Sequence, residues 1–278
     1  MIDSALSMSA ELAAELGASN RRLLIDPRTL PVRFHNMKAM GQSAAHCLAS
    51  FQDRRFDSLP IRIGAGSHAM MFDQPWTVFP GKVRNGKVWD AFKSEHSDKP
   101  ILNAKERDVA EAIAASVRAH DEAAALLFGP EMIREQTINW QQLGRSRRST
   151  PDVRGPHWIV ELKTTRCAEP GRFTRDGMFR GYHAQLADQM NAVEYETGRR
   201  PSKAYIVAVE SSPPHVVTVM ELTDRAIERG DSLCRGWLER LLVCEADNSW
   251  PGYRECIEMF DVGDDPVDLV FGGEDDSE

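Results

Sequence analysis

The sequence predicts an α/β fold, a central mixed β-sheet flanked by helices, and three observations predict it. From about residue 131 onward, runs with strand character and runs with helical spacing follow in the order strand, strand, helix, strand, strand, helix, the alternation that builds a mixed sheet with helices over it. The strand-like runs "WIVELK", "KAYIVAVE" and "HVVTVMEL" are short, rich in β-branched residues, and bounded by Gly, Pro or Ser. The helical runs carry apolar residues three and four apart, as at Leu186, Met190 and Val193.

Taken in order, Ala5, Met8, Leu12 and Leu16 form one apolar stripe that predicts an amphipathic helix ending at Gly17. "LPVRFHNMKAMGQSAAHCLASF" reads as one helix or a pair. Gly64 and Gly66 then read as a turn before an apolar helical segment holding His68. Residues 80–100 are polar and turn-rich, so a loop with short helical pieces is expected. Asn103 and Glu106 have capping-box spacing ahead of Val109, Ile113 and Val117, which predicts a helix stopped by Gly129-Pro130. "MIREQTINW" and the run ending in "WIVELKTT" read as consecutive strands, with the basic "GRSRRS" between them. The domain organisation expected is a helical N-terminal region over 1–60, a core over 61–260 and a tail over 261–278.

The 278 residues are 42% hydrophobic, ample for a buried core. The first residues lack the basic and continuously apolar segments of a signal peptide, and no apolar run reaches membrane-spanning length, so a cytoplasmic protein without a membrane partner is expected. Five scattered cysteines without a C-x-x-C pair read as reduced thiols. The net charge of −8 argues against a nucleic-acid partner until it is located. Residues 261–278 hold eight acids and no base, so residues 1–260 balance at 34 against 34. The tail reads as a solvated, disordered end, or as a segment competing with DNA for a basic groove.

Within "STPDVRGPHWIVELKTT", side chains alternate along the strand, putting Ile159, Glu161 and Lys163 on one face and Trp158, Val160 and Leu162 on the other, which is taken as the core face. Gly155-Pro156 signals a turn, so Asp152 can lie on a preceding strand beside Glu161. Two neighbouring carboxylates repel unless a cation sits between them, and oxygen ligands of this kind suit Mg²⁺ or Mn²⁺. A metal that activates water beside a lysine implies phosphodiester hydrolysis. The bland alternative is an exposed hairpin with a cross-strand ion pair worth about 0–1 kcal/mol.

Pro151-Asp152 and Glu161-Leu162-Lys163 spell the PD-(D/E)xK signature, and the surrounding words resemble the exodeoxyribonuclease VIII (RecE-like) branch of that superfamily, related to lambda-type exonuclease. "SAAHCLASF", "GAGSHAMMFDQP", "ELKTT" and "GYHAQLADQM" carry the likeness from about residue 33 to about 240. The resemblance implies a restriction-endonuclease-like core with a helical N-terminal region. It makes Asp152 and Glu161 metal ligands, Lys163 the water-activating or charge-stabilising group, His68 a further ligand, and the Leu162 carbonyl part of the shell. Glu135 is implied more weakly as holding the metal or a water. Tyr182 and Gln185, three apart on a helix, face the same way and suit contact with the site. Relatives often carry Tyr four residues after that Gln, where this chain has Gln189.

A nuclease needs phosphate contacts, and Arg145, Arg147, Arg148 and Arg154 before the strand and Arg166, Arg172, Arg175 and Arg180 after it are the candidates. The resemblance implies a Mg²⁺-dependent exonuclease of double-stranded DNA ends in recombination or repair. It also implies a ring-forming homo-oligomer and admits a single-strand annealing protein as partner. A DNA-binding accessory protein that no longer cuts, and an endonuclease of the same fold, stay open.

Overall fold

The computed structural model describes residues 26–52 and 57–258. The N-terminal stripe at Ala5–Leu16 and the acidic tail at 261–278 lie outside them. The sequence "FHNMKAMGQSAAHCLAS" forms a pair of helices, α1 (Phe34–Met40) and α2 (Ala44–Ser50), the second capped by the Ser43 hydroxyl accepting from the His46 amide.

Helix α3 (Leu59–Met71) begins earlier than expected and runs straight through Gly64 and Gly66. These glycines make close approach rather than a turn: a Cβ on Gly66 would stand 2.7 Å from a Leu102 methyl, and one on Gly64 would stand 3.2 Å from Thr164 Oγ1. Segment 80–100 holds more order than a loop, since α4 (Gly86–Glu95) lies between β1 (Thr77–Val78) and β2 (Ile101–Leu102), which pair in parallel. Helix α5 (Ala104–Ala119) has the capping box that its sequence announces, with Glu106 N donating to Asn103 Oδ1 and Asn103 N donating to Glu106 Oε2, both at 2.8 Å. It stops at His120, whose Nδ1 accepts from the Ala123 amide and opens α6 (Asp121–Phe128). Gly129 ends α6 rather than α5.

The central sheet has the order β3 (Ile133–Arg134), β6 (Val153–Arg154), β7 (Trp158–Thr165), β8 (Lys203–Glu210), β9 (Val217–Glu221). Strands β7 and β8 are parallel and every other neighbouring pair is antiparallel, so the sheet is mixed. Helices α7 (Pro170–Arg180) and α8 (Tyr182–Thr197) make the crossover between the parallel pair, and α9 (Asp224–Asp247) follows β9. The basic "GRSRRS" is not a linker. Its residues form β5 (Arg145–Ser149), which pairs along its full length with β4 (Ile138–Gln142) in a separate hairpin.

Both faces of β7 are core, against the expectation that only one would be. Val160 and Leu162 pack with Val207, Val209, Ile113 and Leu127 on one side. Ile159 packs with Leu186, Met190 and Ile206 on the other. A strand covered on both faces has almost no room for charge, so Glu161 at 4% exposure demands a reason. A third cluster joins Val32, Met37, Met40 and Cys47 to Cys234, Leu238 and Leu241, so residues 32–47 pack on α9. The five cysteines are free thiols.

Candidate functional site

Gly155 N donates to Trp158 O at 2.9 Å and closes a tight hairpin between β6 and β7. A Cβ on Gly155 would stand 2.4 Å from the Trp158 ring, so the turn tolerates only glycine there. The hairpin pairs Val153 with Val160 and Arg154 with Ile159, and one step further along the same register Asp152 comes opposite Glu161. Asp152 Oδ2 accepts from the Leu162 amide at 2.7 Å, which fixes one carboxylate beside the other.

Glu161 is held from three directions. Lys163 Nζ donates to its Oε1 at 2.7 Å, Gln185 Nε2 donates to the same oxygen, and Gln189 Nε2 donates to Oε2 at 2.8 Å. Gln185 and Gln189 stand four apart on α8 and therefore present one polar patch to β7 within an otherwise apolar interface. Lys163 Nζ also donates to Gln185 Oε1 at 3.1 Å and sits 4.9 Å from the centre of the Tyr182 ring. Tyr182 is therefore a lid on the lysine rather than a partner of the carboxylates.

From α3, His68 brings Nε2 to 3.8 Å from Asp152 Oδ2 and Nδ1 to 3.5 Å from Glu135 Oε1. Glu135 follows β3 with φ of +46°, its amide donates to the Asp152 carbonyl at 2.9 Å, and its side chain accepts from Gln74. Asp152, Glu161, Lys163, Gln185, Tyr182, His68 and Glu135 are thus gathered from five segments.

The electrostatics match two carboxylates crowded together. Burial, and then the negative charge of Glu161, push Asp152 up to about 7. Burial works against protonation of His68, but Asp152, Glu135 and Glu161 outweigh it and raise the imidazole to about 9. Burial opposes the charge on Lys163 too, and Glu161 and Asp152 reverse that, raising it above the ordinary lysine value.

Among the described residues, no three His, Cys, Asp or Glu side chains form a ready-made cage for a metal ion. The donor set nevertheless fits a hard divalent cation such as Mg²⁺ or Mn²⁺, which binds through one or two carboxylates and completes its shell with waters and substrate phosphates. Asp152 and Glu161 supply the carboxylates, the Leu162 carbonyl and His68 are the neighbouring donors, and the repulsion that raises Asp152 is what such a cation relieves.

The eight arginines divide. Arg147 is fully buried, bonded to Asp188 Oδ1 at 2.5 Å and Gln142 Oε1 at 2.6 Å, with its guanidinium 4.7 Å from the centre of the Trp140 ring. Arg145 is buried against Glu245 and the Pro27 carbonyl. Their alternation on a paired strand turns them inward, so neither reaches a phosphate, a correction to the expectation for both. Arg154 bonds Glu196 and Gln136, and Arg148 bonds Asn139 at 3.0 Å. Arg166, Arg172, Arg175 and Arg180 are exposed. Sequence reasoning treated Gln189 only as a departure from its relatives, and the i, i+4 spacing from Gln185 was the signal that it shares the site.

A mixed sheet with a carboxylate pair and a lysine on adjoining strands, under helices on both faces, is the PD-(D/E)xK nuclease fold. Residues 34–262 match the family described as a PDDEXK-like domain of unknown function (DUF3799), and the chain belongs to that family. Among solved structures, a candidate exonuclease from Eubacterium rectale is 15% identical, with 87% of this chain and 93% of that one covered and a TM-score of 0.58. The alkaline exonuclease LHK-Exo from Laribacter hongkongensis is 14% identical over 68% of this chain and 93% of its own, with a TM-score of 0.30. No curated protein matches the sequence. Among the described residues no helix is long and apolar enough to cross a membrane.

Proposed function

We propose that the protein is a divalent-metal-dependent deoxyribonuclease, an exonuclease that hydrolyses phosphodiester bonds at double-stranded DNA ends in recombination or repair. One observation supports this above all: Asp152 and Glu161 lie opposite each other in the β6–β7 register, with Lys163 on the same face of β7 bonded to Glu161. Burying that group of charges between two apolar layers is costly, and a structural role would be served better by apolar residues of the same volume.

When bound, the metal supplies Lewis acidity and a water of lowered pKa. Asp152 and Glu161 hold it, with the Leu162 carbonyl and His68 as supporting donors and Glu135 orienting His68. Gln185 and Gln189 fix the rotation of the Glu161 carboxylate. Lys163 presents its ammonium toward the reacting phosphate, where positive charge stabilises the additional negative charge of the transition state. The Tyr182 ring covers one side of that ammonium and limits its hydration. Arg166, Arg172, Arg175 and Arg180 are the surface cations from which phosphate contacts are drawn, and a ring-shaped homo-oligomer encircling the duplex is the assembly we propose to test.

The test compares end-labelled linear duplex with closed circular DNA, in Mg²⁺ and in EDTA, for the parent, Asp152→Ala and Lys163→Ala. The expected outcome is Mg²⁺-dependent loss of the linear substrate alone, reduced at least about a hundredfold in either variant. Cleavage of the circle makes the protein an endonuclease. Parent-like cutting by both variants removes the site assignment.

A further inference from the structure

Helix α7 carries an aromatic ring that the fold does not use. Phe179 is 87% exposed, more than any other Phe, Tyr or Trp among the described residues, and its neighbour Met178 is 47% exposed. The opposite side of α7 is well used: Phe173 and Gly177 are buried, and Phe173 stacks on Tyr182 with ring centres 5.8 Å apart and planes at 30°. Since Tyr182 in turn lies over Lys163, α7 is tied through two stacked rings to the reaction centre.

The exposed side of α7 is basic. Arg172, Arg175 and Phe179 are three and four residues apart and form one solvent-facing stripe, with two acids beside it, Asp176 and the helix-capping Glu169. Arg180 follows at the end of the helix nearer the site. Lys38 from α1 reaches the same place, its Cδ standing 3.9 Å from where a Cβ on Gly181 would lie. Burial, and then repulsion from Arg180 and Lys163, hold the Lys38 ammonium below the ordinary lysine value. Arginines in line with an exposed ring on one helix are complementary to a strand of nucleic acid, whose phosphates take the charges and whose bases stack on aromatic faces whatever their sequence.

We propose that Phe179, in line with Arg172 and Arg175 and next to Arg180, is a stacking platform for an unpaired nucleobase, so that the DNA strand leading to the site is held single-stranded over α7. The proposal deepens the nuclease reading and rests on it. A base inside a duplex is already stacked on both sides and is closed to an outside ring, which makes an unpaired or frayed end the occupant that fits.

The test uses the full-length protein in EDTA, so that nothing is cut, with a single-stranded 12-mer carrying 2-aminopurine and a blunt duplex of the same length. Phe179→Ala is expected to bind the single strand about tenfold more weakly and to lose the fluorescence quenching that stacking produces, with duplex affinity changed far less. Phe179→Trp is expected to restore both. Unchanged affinity and quenching in Phe179→Ala overturn the platform. So does a loss of self-association in Phe179→Ala, read by sedimentation, with nucleotide binding intact, because the ring then belongs to a contact between copies. Cleavage by the parent in Mg²⁺ is measured in parallel: if the parent cuts nothing, the nuclease reading fails, whereas an active parent with an indifferent Phe179→Ala removes only the platform.

Discussion

Gln189 donates to one oxygen of Glu161 while Lys163 and Gln185 hold the other, so the carboxylate is fixed about its last torsion by groups on two elements. Gln189 Oε1 is buried and has no hydrogen-bond partner among the described residues. The bond to Oε2 makes Gln189 a positioning residue for the carboxylate proposed to bind the metal. Gln189→Ala is expected to fold and to weaken Mn²⁺ affinity about tenfold or more, the range found when groups behind a ligand are lost, measured by calorimetric titration without DNA. Gln189→Glu places a like charge against Glu161 and is expected to do worse; a variant that binds Mn²⁺ as the parent does shows that Gln189 merely fills space. Asp152, Glu161 and Lys163 were legible in the sequence because strand alternation and a glycine turn fix where they point. The place of Gln189 followed from its i, i+4 spacing once Gln185 was turned toward β7, whereas the bond to Glu161 Oε2 depended on how α8 packs over the strand. His68 was legible only through resemblance, since nothing in its local sequence directs an imidazole toward a strand some eighty residues away.

At the scale of elements, the error over "GRSRRS" is instructive. Five polar or charged residues in six read as a solvated linker, but an arginine can be buried when its fork is fully bonded, and Arg147 is. Asp188, which receives it, also accepts from the Ser149 hydroxyl at 2.9 Å, so the β4–β5 hairpin is fastened to α8 by a buried polar tie. That tie joins residues 41 apart, and no local pattern announces it. Likewise Gly64 and Gly66 looked like a turn because glycine's absence of a side chain serves close packing as well as unusual backbone. Arg147→Ala leaves Asp188 charged and buried, and a loss of about 3–5 kcal/mol in urea unfolding is expected. Near the midpoint of the hairpin Arg147 contacts no solvent, so DNA affinity per folded molecule, and its slope against salt, should stay at the parent value. A fall in that slope by about one, with stability intact, would return Arg147 to the phosphate-binding set.

Over the whole molecule, the mixed sheet and the helices that flank it followed from periodicity, because long periodic segments declare their own element type. Charge distribution is the property that periodicity leaves untouched. All of the net −8 resides in residues 261–278, and the remainder is neutral, with exposed arginines at 166, 172, 175 and 180. An acidic segment tethered to a polyanion-binding body lowers affinity in two ways, by repelling DNA at range and by occupying the same cations, and both are screened by salt. A chain ending at residue 260 is therefore expected to bind linear duplex several-fold more tightly than the full chain at 50 mM salt, where the Debye length is about 14 Å. Near 0.5 M salt the two should converge, since that length shrinks to about 4 Å and surface charges act almost only on contact. The slopes of log affinity against log salt separate the two modes. If the tail competes by occupying the arginines, the truncated chain releases more counterions on binding DNA and its slope is the steeper. Equal affinities at 50 mM, measured by anisotropy in EDTA, would leave the tail without a part in DNA binding and turn attention to its apolar residues Val267, Leu269, Val270 and Phe271 as a docking segment for another protein.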